Sequence, residues 1–185
     1  MTKEFSADRL DVKAFALAKG RLAGRDSLLK YKRLAQVAPR LHPELYVNWQ
    51  AAAEVRERPG ASAQIWLRLQ ADTQCPAVCQ RCLQPMDVPL QVDRWFRFVA
   101  DEATAEAQDD GSEEDLLVLS REFSLHGLIE DELLLDMPLV PRHEQCPVAV
   151  KMSVGEEELE RDPAPARNPF AALANLKLHD GKSRP

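Results

Sequence analysis

Leu45-Tyr46-Val47-Asn48-Trp49-Gln50-Ala51-Ala52-Ala53-Glu54-Val55 places Leu45, Val47, Trp49, Ala51, Ala53 and Val55 on one side and Tyr46, Asn48, Gln50, Ala52 and Glu54 on the other. A two-residue period belongs to a strand with one buried face. Pro59-Gly60 supplies a turn, after which Ala63, Ile65, Leu67, Leu69 and Ala71 alternate with Gln64, Trp66, Arg68 and Gln70. Two such runs across a turn predict an antiparallel hairpin. Val88, Leu90, Val92, Phe96 and Phe98 mark a third strand, and Pro89 puts its start at an edge or bulge because proline offers no N–H to a ladder. Leu116 to Leu119 reads as a short fourth strand.

Working outward, residues 8–38 read as helical: Val12, Phe15 and Ala16, then Leu28, Leu29, Leu34 and Val37, recur at three- and four-residue steps, with Gly20 and Gly24 as interruptions. Pro39 and Pro43 close that region. Residues 101–114 read as an acidic loop. Ser124 then caps a helix running to about Leu135, which Met137-Pro138 stops. The expected fold is α+β, an antiparallel β-sheet of three or four strands packed with N-terminal helices and one C-terminal-half helix. It forms a single domain, residues 1–150, with its sheet and helix in 44–146. Residues 151–185 are polar and Pro-rich and are expected to form a flexible arm. Within it Asn168 as N-cap and Pro169 at the first helical position specify a short amphipathic helix, 169–177, whose Phe170, Leu173 and Leu176 could dock a partner.

Composition narrows the function classes. With 185 residues, 45% hydrophobic and 29% charged, the chain can bury a core without disulfides. Seven glycines leave little for phosphate cradles, and G-x-G-x-x-G, G-x-x-x-x-G-K-[ST] and G-x-S-x-G are all missing from the sequence. Nucleotide enzymes and serine hydrolases are therefore disfavoured. Apolar runs stop at five residues (Ala14–Ala18, Phe170–Ala174), and MTKEFSADRL lacks a hydrophobic signal region. The expectation is a cytoplasmic protein that neither spans a membrane nor is secreted, whose four cysteines are reduced thiols or metal ligands.

The net charge of −6 is unevenly spread. Between Lys13 and Arg40 eight basic residues face only Asp26, and Lys30, Lys32 and Arg33 are the candidates for RNA phosphate contact. Between Asp101 and Asp136 thirteen acids face only Arg121. Asp109, Asp110, Glu113 and Glu114 are the candidates for docking a basic protein, the route the larger acidic excess favours. The plainer account is two solvated faces that partly neutralise each other in the fold.

Cys79-Gln80-Arg81-Cys82 is a C-x-x-C, and His143-Glu144-Gln145-Cys146 adds an H-x-x-C. Cys79, Cys82, His143 and Cys146 could close a tetrahedron around zinc, the candidate cofactor, with Cys75 as an alternative ligand. A redox role is the poorer reading, because this C-x-x-C lies between strands and does not open a helix. His126 is expected to face solvent. Glu130, Asp131 and Glu132 invite an acid–base hypothesis, but successive helix positions diverge by about 100°, so three in a row cannot face one substrate. They read as a solvated helix face, with Glu132 nearest the apolar stripe. No set of nucleophile, base and orienting group supports catalysis.

Taken in order, Cys79-Gln80-Arg81-Cys82, Ile129-Glu130-Asp131-Glu132-Leu133-Leu134-Leu135 running into Met137-Pro138-Leu139-Val140-Pro141 and His143, then Cys146 and Asn168-Pro169-Phe170-Ala171, resemble the bacterial YceD family of large ribosomal RNA subunit accumulation proteins. The resemblance covers almost the full chain. It implies a non-catalytic cytoplasmic ribosome biogenesis factor needed for synthesis, processing or stability of large-subunit (23S) ribosomal RNA. Its partners would be a ribosomal RNA precursor or a basic ribosomal or assembly protein, with no small-molecule substrate. Some family members look to have a richer C-terminal cysteine cluster, where this sequence has Cys146 alone. The alternatives are a zinc-binding protein adaptor that never touches RNA and a thiol-redox enzyme.

Overall fold

The computed structural model describes residues 5–39, 41–57, 59–60 and 62–149. The expected arm and its 169–177 helix, with Phe170, Leu173 and Leu176, lie outside them. The core of the fold is a five-stranded mixed sheet in the order β1-β2-β3-β4-β5, made of Arg21–Ser27, Tyr46–Arg56, Gln64–Val78, Pro85–Val99 and Asp115–Val118. Among the described residues four α-helices accompany it: α1 (Val12–Leu17), α2 (Lys32–Val37), α3 (Glu102–Asp109) and α4 (Leu125–Asp136). None of the described helices is long and apolar enough to cross a membrane.

The hairpin of β2 and β3 forms as its alternation requires. Val47, Trp49, Ala51 and Ala53 on β2, Ile65, Leu67 and Leu69 on β3 and Val88, Leu90, Phe96 and Phe98 on β4 all point to one buried face. Phe15 of α1, Leu34 of α2 and Leu125, Ile129 and Leu133 of α4 close over them. Burying each such side chain contributes about 1.5–3 kcal/mol, so this layer dominates stability. The opposite face of the sheet keeps its polar residues. Pro76 and Pro89 are tolerated because β2 pairs with β3 only as far as Asp72, and β5 with β4 only from Phe96. Each proline therefore sits on a strand with one neighbour.

Several expectations need correction. The 8–38 region is not all helix, because Arg21–Ser27 is a strand lying antiparallel to β2. Its residues are small or charged and contribute few apolar positions, which hides a two-residue period at a sheet edge. Gly24 is a strand residue with the Trp49 indole across it, and a Cβ there would meet the ring at 2.6 Å. Residues 101–114 are not all loop: Asp101 caps α3 through the Thr104 N–H, and three alanines favour the helix although none of its residues is buried. The sheet is not purely antiparallel, since the crossover through α3 brings β5 in parallel to β4. Arg97 anchors this crossover by donating to Glu114, Gln108 (2.8 Å) and Ser112 (2.7 Å).

Charged groups lock the helices to the sheet. Tyr31, the residue before α2, offers no side-chain cap. Glu130 of α4 replaces it: its carboxylate accepts the backbone N–H of Arg33 at 2.6 Å and of Leu34 at 3.2 Å. Those are two of the donors a helix N-terminus leaves unsatisfied. Asp26 on β1 accepts from Trp49 Nε1 (2.5 Å), Lys30 Nζ (3.2 Å) and the Tyr31 hydroxyl (3.4 Å), with His126 Nε2 at 3.1 Å. Burial pushes the Asp26 carboxyl up, but the bonds from Trp49 and Lys30 and the nearby His126 outweigh it and hold it below its ordinary value. His126, expected to face solvent, is instead largely enclosed and reaches Asp8 through Nδ1 at 2.7 Å.

Replacing Glu130 by Ala should lower stability by about 1–2 kcal/mol, the usual loss for a helix cap. Glu130→Gln should cost less, because an amide oxygen can still accept. Urea denaturation of both variants checks this, and equal losses would show that the charge and not the cap matters.

Candidate metal centre

The centre starts from the β3–β4 hairpin. Pairing of Val78 with Pro85 leaves six residues, 79–84, to close it. Cys79 N–H donates to the Gln84 carbonyl at 3.0 Å, and Leu83 N–H donates to the Cys79 carbonyl at 2.9 Å. Leu83 takes a left-handed conformation (φ 59°) to complete the turn. This tight loop holds Cys79 and Cys82 side by side. After α4 the chain returns to it: Gln80 N–H donates to the Pro141 carbonyl at 2.8 Å, which docks 141–146 against the loop.

The donor atoms of Cys79, Cys82, His143 and Cys146 consequently lie within 4.8 Å of one another. Cys79 Sγ is 3.9 Å from Cys146 Sγ, and Cys82 Sγ is 3.4 Å from His143 Nδ1. The edge of a tetrahedral zinc–thiolate site is about 3.8 Å, and a sulfur–nitrogen edge about 3.5 Å. Four donors of this kind at these separations could hold a metal ion. Burial raises the Cys79 thiol, but the backbone N–H groups of Cys82, His143 and Arg81 prevail and bring it down to about 5. A thiolate so stabilised is ready to ligate. Cys82 moves the other way, raised by burial and by the neighbouring sulfurs of Cys146 and Cys79.

Cys75 stands apart. It is fully buried in the core between strands, and burial together with Asp87 pushes its thiol up to about 11. Arg81 is the residue that spacing arguments passed over. Its Nε donates to Cys146 Sγ at 3.0 Å, and its terminal nitrogen donates to the carbonyls of His143 (2.7 Å) and Glu144 (3.2 Å). One guanidinium thus fixes both the Cys146 sulfur and the backbone that carries it, the supporting hydrogen bonds that metal sites require. The signal was present in its position inside the C-x-x-C.

The other candidate residues are dispersed. Arg33 is bound to Glu130 (3.1 Å) and Asp131, and Lys30 to Asp26, whereas Lys32 is exposed. Asp109, Asp110 and Glu113 lie on or beside α3, and Glu114 pairs with Arg97. Glu130, Asp131 and Glu132 diverge as helix geometry demands. The first caps α2, the second meets Arg33, and the third, buried and raised by that burial against the pull of Arg94, pairs with Arg94 at 3.1 Å.

The loop and the returning segment fall within residues 67–177, which match the family described as Large ribosomal RNA subunit accumulation protein YceD. The chain belongs to the YceD family. A relative from Haemophilus influenzae, named Large ribosomal RNA subunit accumulation protein YceD, is 38% identical over 104 residues, which are 54% of this chain and 58% of the relative. The chain therefore matches a little over half the length of that YceD protein. No solved structure matches it.

At pH 8 a thiol raised to about 11 is almost wholly protonated, and Cys75 is sealed besides. Cys75 should resist iodoacetamide in the folded protein and react once urea unfolds it, as read by mass spectrometry. Cys75→Ala should leave metal uptake unchanged.

Proposed function

We propose that this protein is a cytoplasmic factor that supports accumulation of large-subunit ribosomal RNA, and that it acts by binding. The observation that carries the reading is membership of the YceD family, whose name states that role. The geometry agrees with it in kind. Conspicuous acids and bases such as Glu130, Asp131, Arg33 and Arg97 are engaged in holding the fold, and the cysteine-rich loop resembles a structural clasp.

Zinc is the ion this Cys79, Cys82, His143 and Cys146 set suits, because three thiolates and one imidazole form a closed structural site with no ligand position left for substrate. When bound it would cross-link the β3–β4 loop to the segment after α4, two parts of the chain more than sixty residues apart, and contribute directly to stability. The protein's own residues do the positioning: Gln80 docks the returning segment, and Arg81 orients Cys146.

Depleting the protein should lower the ratio of large- to small-subunit ribosomal RNA, measured by electrophoresis of total RNA; an unchanged ratio counts against the role. Protein purified without chelators should carry close to one zinc per chain by elemental analysis. Cys82→Ser should lose most of it and melt at lower temperature. Protein without metal would remove zinc from the account, and disulfide exchange at Cys79 would promote a thiol enzyme in its place.

A further inference from the structure

The face of the sheet turned away from α1, α2 and α4 has a composition unlike a merely solvated surface. Four guanidinium–aromatic contacts cross it among the described residues, the longest being Arg68 over Trp95 at 5.8 Å. Arg25 lies over Tyr46 with its central carbon 4.2 Å from the ring centre, and Arg56 lies 4.2 Å over both Trp66 and Trp95. Trp66 and Trp95 meet edge to face at 6.4 Å. The register that places Arg21 opposite Ala52 and Ala52 opposite Arg68 leaves a shallow floor of small residues between these stacks. A groove of about 440 Å³ opens there, edged by Arg21, Gln50, Glu54, Gln70, Arg68 and Trp95.

We propose that this open sheet face is a docking platform for single-stranded RNA, a claim that rests on the ribosomal RNA role above and names the surface that would serve it. Guanidinium groups seated against aromatic rings, together with the half-buried Trp95 ring, offer stacking surfaces to unpaired bases of any sequence. The Gln50 and Gln70 amides, bonded to each other at 2.7 Å, present donors and acceptors to base edges. The charge balance selects the occupant. Of the acids on this face, Asp93 is paired with Arg68 and Glu54 with Arg56, Asp72 accepts from the neutral Asn48 amide, and Asp87 stands toward the far end of β4. Arg21 and Arg25 form no ion pair among the described residues; Arg21 edges the groove, and Arg25 lies four residues further along β1 on the same face, beside a second hollow lined also by Glu44 and Asp72. Two arginines without an ion pair among the described residues, beside a line of stacking groups, match a phosphate backbone with its bases turned inward. A basic protein would meet these arginines as like charges.

The test uses the full chain and a fluorescently labelled 12-nucleotide oligouridine. Binding should weaken with salt, and the double variant Arg21→Gln, Arg25→Gln should flatten the log–log slope by about 1.4, two phosphates at about 0.7 each. Trp95→Ala should weaken binding about tenfold or more, whereas Trp95→Phe, which keeps a ring, should recover most of it. Thermal melts verify that each variant is folded. Failure of the wild type to bind overturns the proposal, as does binding insensitive to these substitutions. Binding abolished by Lys30→Gln, Lys32→Gln and Arg33→Gln but kept by the face variants transfers the site to α2 and overturns it too. Capture of a basic ribosomal protein without RNA also overturns it. Complementation separates the two claims: if the wild type restores the ribosomal RNA ratio and the face variants restore it equally, the platform fails while the role stands. If depletion never altered the ratio, the role itself fails.

Discussion

Everything described above hangs on the unbroken antiparallel ladder between β3 and β4, which pairs Ile65 with Phe98 at one end and Val78 with Pro85 at the other without a bulge. A regular ladder preserves the two-residue alternation over its whole length, so one register assigns every side chain to a face. The inner set, Leu67, Leu69, Leu90 and Phe96 among them, becomes the floor of the core. The outer set includes Arg68, Gln70 and Trp95. The end of the ladder presents Cys79 and Cys82. A slip of one residue would put the tryptophans in the core and the leucines in water while dislocating the cysteine loop. Core, open face and metal centre are therefore consequences of a single register.

A second economy concerns charge. Many of the acids between Asp101 and Asp136 are absorbed by the fold, whereas Asp109, Asp110 and Glu113 form no ion pair among the described residues. Asp101 caps α3, Glu114 meets Arg97, Asp115 and Glu132 share Arg94, and Glu130 and Asp131 share Arg33. Asp136 accepts the outward backbone N–H of Gln91 beside the β4 edge. Exposed pairs of this sort contribute little individually. Their value here is geometric, because the Glu130 cap and the Arg94 pair fix how α4 crosses the sheet, and α4 in turn aims the 137–146 segment at the cysteine loop.

The parts legible in the sequence were those with a local signature. The alternation of 45–55 and 63–71 announced the hairpin, Ser124 announced α4, and the C-x-x-C and H-x-x-C spacings named the four donors that meet. Arg21–Ser27 was read as helical because an edge strand of small and charged residues carries no hydrophobic period. Its evidence lies in its partner, where Trp49 requires Gly24 opposite. Arg81 was overlooked for a related reason: a long, flexible cation acquires meaning only when the carbonyls it reaches, 62 and 63 residues away, are in place. The arginine and tryptophan face was equally invisible, since its members are drawn from alternate positions of separate strands and share no interval along the chain.

The internal use of charge also resolves how a chain of net charge −6 can present a surface suited to a polyanion. Net charge governs long-range steering, which salt screens within about 10 Å at moderate ionic strength. Contact is governed by the charges left uncompensated at the surface. Lys30 and Arg33, prominent in the basic N-terminal stretch, are engaged by Asp26, Glu130 and Asp131, whereas Arg21 and Arg25 from the same stretch emerge on the open face with no ion pair among the described residues. The strand that appeared where helix was expected is what carries them there. In a helix at that position Arg21 and Arg25 would lie four apart on one helical face, and in β1 they flank Ala23 on the face that Tyr46 and Trp95 also line. The local choice of strand over helix thus decides which face of the molecule these cations occupy.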